Sequence, residues 1–198
     1  DEKVRPREIM QSPDRLYETF KRVRVTNLGL LSDADLSARL KDHCQVLCIV
    51  NTRNHAKKLY DAIKDAGNCY HLSARMCPVH RRKKIAEIKK RLKEGLDCRV
   101  ISTQLIEAGV DIDFPVVYRA MTGIDSVAQA AGRCNREGKL PFGEVFIFKS
   151  TEPHGKATSW QSFVAEIGEM TLAGSDDPLS FPTVAEYFQR LYHYKSDE

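Results

Sequence analysis

Nowhere does this 198-residue chain contain a long uninterrupted apolar run. A spanning helix needs roughly 18 or more consecutive apolar residues, so membrane insertion by a helix is not expected. No C-x-x-C pair occurs. The six cysteines stand at positions 44, 48, 69, 77, 98 and 134, looser than the paired spacing zinc prefers. Four of them lie within or beside apolar runs, where cysteine packs as a small hydrophobe. Reduced cysteines, a cytoplasmic location and no metal site are therefore expected. The amino terminus, Asp1-Glu-Lys-Val-Arg-Pro, has no apolar segment after its charges and is not a secretory signal. No initiator methionine heads the chain, which reads as a piece of something longer. There is no internal repeat and no low-complexity tract. A phosphate loop, G-x-x-x-x-G-K-[ST], is also missing, because neither Gly138-Lys139-Leu140 nor Gly155-Lys156-Ala157 fits it. Asp-Glu dipeptides occur only at the extreme termini, so no internal pair is placed to hold magnesium beside a nucleotide.

What the chain does have is an ordinary globular composition, with 42% hydrophobic residues and a net charge of +4. The cations are clustered: nine lie between Arg75 and Lys93, and seven lie before residue 25. Such runs suit nucleic acid but equally describe a solvated helix face. Gln45-Val-Leu-Cys-Ile-Val50 is a continuous apolar strand of the kind covered on both faces. Further strands are expected at 69–72, 99–102, 116–120 and 143–148, with a possible edge strand at 21–25. Helices are expected after Ser32, from Asn51 through about Ala66, from Pro78 to Gly95 and over 125–134. Pro78 suits a first helical turn, where its missing N–H costs little. This alternation predicts an α/β fold, a parallel sheet flanked by helices on both faces. Residues 1–27 read as an N-terminal connector, 28–150 as the sheet domain and 151–198 as a helical C-terminal extension with helices at 159–172 and 183–194.

Two blocks carry chemistry. The first is Ser102-Thr103-Gln104-Leu-Ile-Glu107-Ala-Gly109-Val-Asp111-Ile-Asp113, a strand end followed by a glycine-containing loop with spaced carboxylates. Such loops form ligand sites at the carboxyl edge of a parallel sheet. The second is Gln129-Ala-Ala-Gly-Arg133-Cys-Asn-Arg136-Glu-Gly138. On a continuous helix, Gln129, Arg133 and Arg136 would share one face, with Ala130 and Ala131 packed beneath. Two outward arginines suit an anion, because the guanidinium fork donates parallel hydrogen bonds to phosphate. A solvated helix end is the plainer reading of the same residues.

Together the blocks resemble motifs V and VI of superfamily 2 helicases, the second matching Q-x-x-G-R-x-x-R at every fixed position. The wording is similar to the CRISPR-associated type I effector helicase–nuclease in its second RecA-like domain, from roughly Gln45 to Phe148. His71-Leu-Ser-Ala-Arg75-Met resembles another block of that family. This resemblance implies an ATP-driven translocase on single-stranded DNA, with ATP and magnesium held mainly by a first RecA-like lobe absent from this chain. Arg133 and Arg136 would act as arginine fingers. Gln129, Asp111, Glu107 and Gly109 would serve the nucleotide, although Glu107 and Asp111 could equally be loop carboxylates capping amides. Asn51, Thr52, Arg53, Arg75, Ser102 and Thr103 would hold DNA phosphates along the same sheet edge, with simple N-capping the alternative for Thr52 and Thr103. His71 reads as structural.

The implied partners are single-stranded DNA, the first lobe and a nuclease domain of the same protein, and an RNA-guided surveillance complex. The nuclease histidine–aspartate motif is not present, so this chain alone is expected to show neither nuclease nor ATPase activity. Two alternatives remain open. An RNA helicase lobe would more often carry histidine where Gln129 stands. A non-enzymatic module with this fold would have no need of both arginines.

Overall fold

The structure is a computed structural model that describes residues 9–107, 109–155 and 158–196. Among the described residues six strands are present: β1 (Val23–Leu31), β2 (Gln45–Ile49), β3 (Cys69–Leu72), β4 (Cys98–Ser102), β5 (Val116–Ala120) and β6 (Gly143–Ser150). They form one sheet in the order β1-β6-β5-β2-β4-β3. Every pairing is parallel, so all strand carboxyl ends share one edge and their loops converge there. Among the described residues no helix is long and apolar enough to cross a membrane.

The expected helices lie on both faces. On one face α2 (Asp33–Asp42) and α3 (Arg53–Ile63) bury Leu36, Leu40, Ala56, Leu59 and Ile63 against Val46, Cys48 and Tyr118. On the other, α4 (Pro78–Lys93) and α5 (Ile124–Ala131) bury Ile88, Ala130 and Ala131 against Leu47, Val100 and Val117. Alternate residues of β2 thus feed two cores, which is why this strand reads as one continuous apolar run. The cations of α4 lie on its solvent side, where Lys84 pairs with Glu87 and Lys90 with Glu94.

Three expectations need correction. The segment expected to be a connector is part of the fold: α1 (Pro13–Phe20) precedes β1, which crosses the 27/28 boundary and pairs with β6 along the sheet edge. The edge strand expected over 21–25 is present but runs on to Leu31; its extent was obscured because an edge strand needs apolar residues on one side only. The terminal helices α6 (Ser159–Leu172) and α7 (Phe181–Ser196) likewise share a core with the sheet domain, joining Ile167, Leu172, Tyr187 and Leu191 to Ile124, Val127 and Ile147. A Cβ on Gly168 would stand 2.3 Å from the Thr122 carbonyl, so only glycine lets α6 approach that backbone. Finally, α5 ends at Ala131 rather than at residue 134.

Candidate functional site

The carboxyl ends of β2 and β4 and the loop after β3 border a cleft of about 530 Å³ lined by Thr52, Arg53, Ala74, Thr103, Gln104 and His154 among others. Thr52 is the N-cap of α3. Its hydroxyl accepts from the His55 amide at 3.2 Å and donates to the His154 carbonyl at 3.0 Å. Arg53 is exposed at the cleft, and Thr103 is half-buried there without a capping hydrogen bond. Arg75 is exposed in the adjacent loop; its neighbour Ala74, rather than Arg75 itself, lines the cleft.

Of the residues expected to face DNA, Ser102 is turned inward, and Asn51 lines the cleft with its side-chain amide already engaged. Ser102 is fully buried, and its hydroxyl donates to the carbonyls of Leu72 (3.3 Å) and Thr103 (2.9 Å). It ties β4 to β3, and no phosphate can reach it. The Asn51 amide donates to Met121 O at 2.7 Å, and its carbonyl accepts from Arg119 Nη1 at 2.6 Å. Both ends of that side chain are committed to the protein.

Arg119 was not legible as functional. It sits in the middle of an apolar strand and is completely buried. Its Nε lies 2.8 Å from Glu107 Oε1, so Glu107 points into the protein rather than toward a nucleotide. A carboxylate inside a fold requires such a partner. Burial pushes the Glu107 carboxyl above its ordinary value, while the adjacent guanidinium pulls it back down. Asn51, at the cleft, and the buried Arg119 and Glu107 therefore make one relay from the cleft to the loop after β4.

That loop meets both arginines. Arg133 Nε donates to Ile106 O at 3.1 Å and its Nη2 to Glu107 O at 2.6 Å, so Arg133 lies along the loop rather than facing outward. Arg136 is exposed and pairs with Asp111. Asp113 accepts from the backbone amides of Arg136 (2.7 Å) and Glu137 (3.3 Å), a positioning role the sequence reading had not assigned. Gly109 adopts φ +71° with nothing near its missing side chain; the constraint is on backbone dihedral, not on space.

The shared helical face of Gln129, Arg133 and Arg136 does not form. Gln129 is exposed near the end of α5, whereas both arginines lie in the turn beyond it. Buried Asn135 holds that turn with φ +45° and hydrogen bonds to Arg22 O and Leu140 O. Nor do the arginines share an edge with the cleft. The turn pairs at Phe114 and Cys134, just before β5 begins, while the cleft opens where β2 and β4 end. The 103–113 loop runs between the two places.

One further cluster gathers at the back of the cleft: Asp33, His55 and His154, from α2, α3 and the loop after β6. Burial, with His154 alongside, pushes the His55 imidazole down to about 4 against the pull of Asp33. Separations of 22 and 99 residues along the chain (33 to 55, then 55 to 154) hid this meeting.

Residues 42–139 match the family model for the C-terminal region of the CRISPR-associated nuclease/helicase Cas3. A CRISPR-associated nuclease/helicase Cas3 of Methanothermobacter thermautotrophicus is 40% identical over 111 residues, covering 54% of this chain and 13% of that protein. The chain thus spans a small part of its relative's length. The crystal structure of T. fusca Cas3 with ADP superposes with a TM-score of 0.63 at 19% identity, over 86% of this chain and 23% of that one. A chain of a CRISPR RNA-guided surveillance complex in a pre-nicking state matches with a TM-score of 0.61 at 18% identity, over 84% and 25%. Its two motif blocks, its all-parallel sheet and these likenesses support a helicase C-terminal domain of the second RecA-like type, close to that of Cas3.

Proposed function

We propose that this chain is the second lobe of an ATP-dependent single-stranded DNA translocase of CRISPR interference, working in the cytoplasm. The observation that carries this reading is the 103–113 loop. One end borders the cleft through Thr103 and Gln104. Its middle carbonyls accept from Arg133, and its far end holds Arg136 through Asp111 and Asp113. A loop that touches both a strand-end cleft and an exposed arginine is a physical means of relating DNA position to phosphate chemistry.

ATP is the substrate, and its phosphates and magnesium would be gripped by the first lobe, since this chain has no phosphate loop. Arg136 would leave Asp111 for the γ-phosphate and neutralise its developing charge. Arg133 would fix the loop against the turn. Gln129 and Asp111 would border the nucleotide, and Gly109 would give the loop its bend. Arg53, Thr103, Arg75 and the exposed amides at the start of α3 would hold DNA phosphates, with Thr52 capping that helix. The further partners would be the nuclease domain of the same protein and an RNA-guided surveillance complex.

ATPase assays test this directly. The chain alone is expected to show neither ATP hydrolysis nor nuclease activity, and the intact protein is expected to be stimulated by single-stranded DNA more than by RNA. Brisk magnesium-dependent turnover by this chain, or stimulation by RNA alone, would overturn it.

DNA binding by the intact protein should also weaken steeply with salt, because phosphates rather than bases are contacted. Each single-strand phosphate contact contributes a slope of about −0.7 in log affinity against log salt. Arg53→Gln is expected to reduce the slope by about one such contact, measured by fluorescence anisotropy. Tight binding indifferent to salt would count against phosphate tracking.

A further inference from the structure

We propose that Asp33, His55 and His154 form a structural binding site for a divalent zinc-class metal ion. His55 Nε2 lies 3.1 Å from Asp33 Oδ1, and His154 Nε2 lies 3.0 Å from the same oxygen. The two imidazoles stack in parallel, 3.6 Å apart at 6°. All three candidate ligand atoms fall within 4.8 Å of one another. Ligands roughly 2.0–2.2 Å from a tetrahedral zinc stand roughly 3.3 Å from one another, so small shifts would seat the ion. Two imidazoles and a carboxylate are a donor set that zinc accepts readily.

His55 is 4% exposed, and its Nε2 shares one Asp33 oxygen with His154 Nε2. Two ring nitrogens thus converge on a single carboxylate oxygen, and a metal at the focus of the three groups would serve all of them.

The surroundings supply the rest of a site. Ser150 Oγ lies 3.0 Å from His154 Nε2 and 3.3 Å from Asp33 Oδ1, at the position of a fourth ligand or of a group hydrogen-bonded to one. Lys58 Nζ stands 2.9 Å from Asp33 Oδ2. Its charge opposes a cation, but it occupies the other carboxylate oxygen and its side chain is 58% exposed, so it can remain as an outer partner or swing into solvent. Glu152 accepts from the Asp33 amide and restores negative charge nearby.

The bound ion would join the start of α2, the first turn of α3 and the loop after β6. That loop is also held by Thr52, through the His154 carbonyl. Metal would thereby set the rim of the cleft without entering any reaction. This inference does not depend on the motor reading.

The test uses zinc ion alone, added to chelator-treated protein and followed by isothermal titration and thermal melting. One zinc per chain and a higher melting temperature are expected for the unaltered chain, and both are lost in His154→Gln. Cobalt substitution should give visible d–d bands without the near-ultraviolet thiolate band that cysteine ligation would produce, which separates this site from the free cysteines. No zinc uptake by the unaltered chain overturns the proposal even if His154→Gln fails to fold. So does a thiolate spectrum, or uptake retained in a folded His154→Gln.

Discussion

Arg119→Met is expected to cost the domain about 3–5 kcal/mol, the usual penalty for stranding one member of a buried ion pair. Arg119 is completely buried and Glu107 nearly so. Their contact spans 2.8 Å, and Asn51 Oδ1 takes a further guanidinium proton. Methionine fills much of the volume but leaves the Glu107 carboxylate without a counter-charge. Domains of this kind are typically stable by only about 5–15 kcal/mol, so the loss would be visible in urea denaturation. The double variant Arg119→Met with Glu107→Leu should recover most of that stability, because replacing both partners removes the unpaired charge. In the intact protein that rescued fold is still expected to uncouple DNA from ATP turnover, since the 103–113 loop would lose its inner anchor. A single variant as stable as the parent chain would show that this pair does not hold the loop.

Arg136→Lys in the intact protein is expected to abolish most ATP turnover, by about 10³ to 10⁵ in rate, the contribution of an arginine finger. Lysine keeps the charge but loses the fork that grips two phosphate oxygens. The fold should survive. Arg136 is 45% exposed and its partner Asp111 is 71% exposed, and surface ion pairs of this sort contribute little to stability. The same exposure lets Arg136 trade Asp111 for a phosphate. Steady-state ATPase and thermal melting on one preparation separate the outcomes: turnover collapses while the melting temperature moves little. Normal turnover would remove Arg136 from the chemistry. Arg133 calls for a different expectation. Its Nε and Nη2 hold the Ile106 and Glu107 carbonyls, so a substitution there should alter loop position as well as rate.

Much of the fold was legible because its signals are local. A short apolar run such as 45–50 is what a strand buried on both sides requires. Ser32 and Thr52 both serve as N-caps. The span of α6 agrees with the expected 159–172. The edges of the domain were harder to read. β1 half-buries Val23, Val25 and Leu28 and exposes Arg24, Thr26 and Asn27, a pattern that also describes an ordered linker. The early end of α5 depends on Asn135, whose side chain is bonded to residues before and after it in the chain.

The sequence by itself determined the parallel α/β architecture, the two motif blocks and which residue types could meet a triphosphate or a DNA backbone. Those follow from hydrophobic period and from side-chain chemistry, both properties of neighbours along the chain. Only the tertiary structure decided which of those groups face solvent. Ser102, Asn51 and Glu107 carry polar atoms that could have met a ligand, yet each is satisfied from within by Leu72, Met121 or Arg119. The gathering of Asp33, His55 and His154 was decided in the same way. A buried polar atom takes whatever partner lies closest in space, and parallel crossovers bring together residues far apart in sequence.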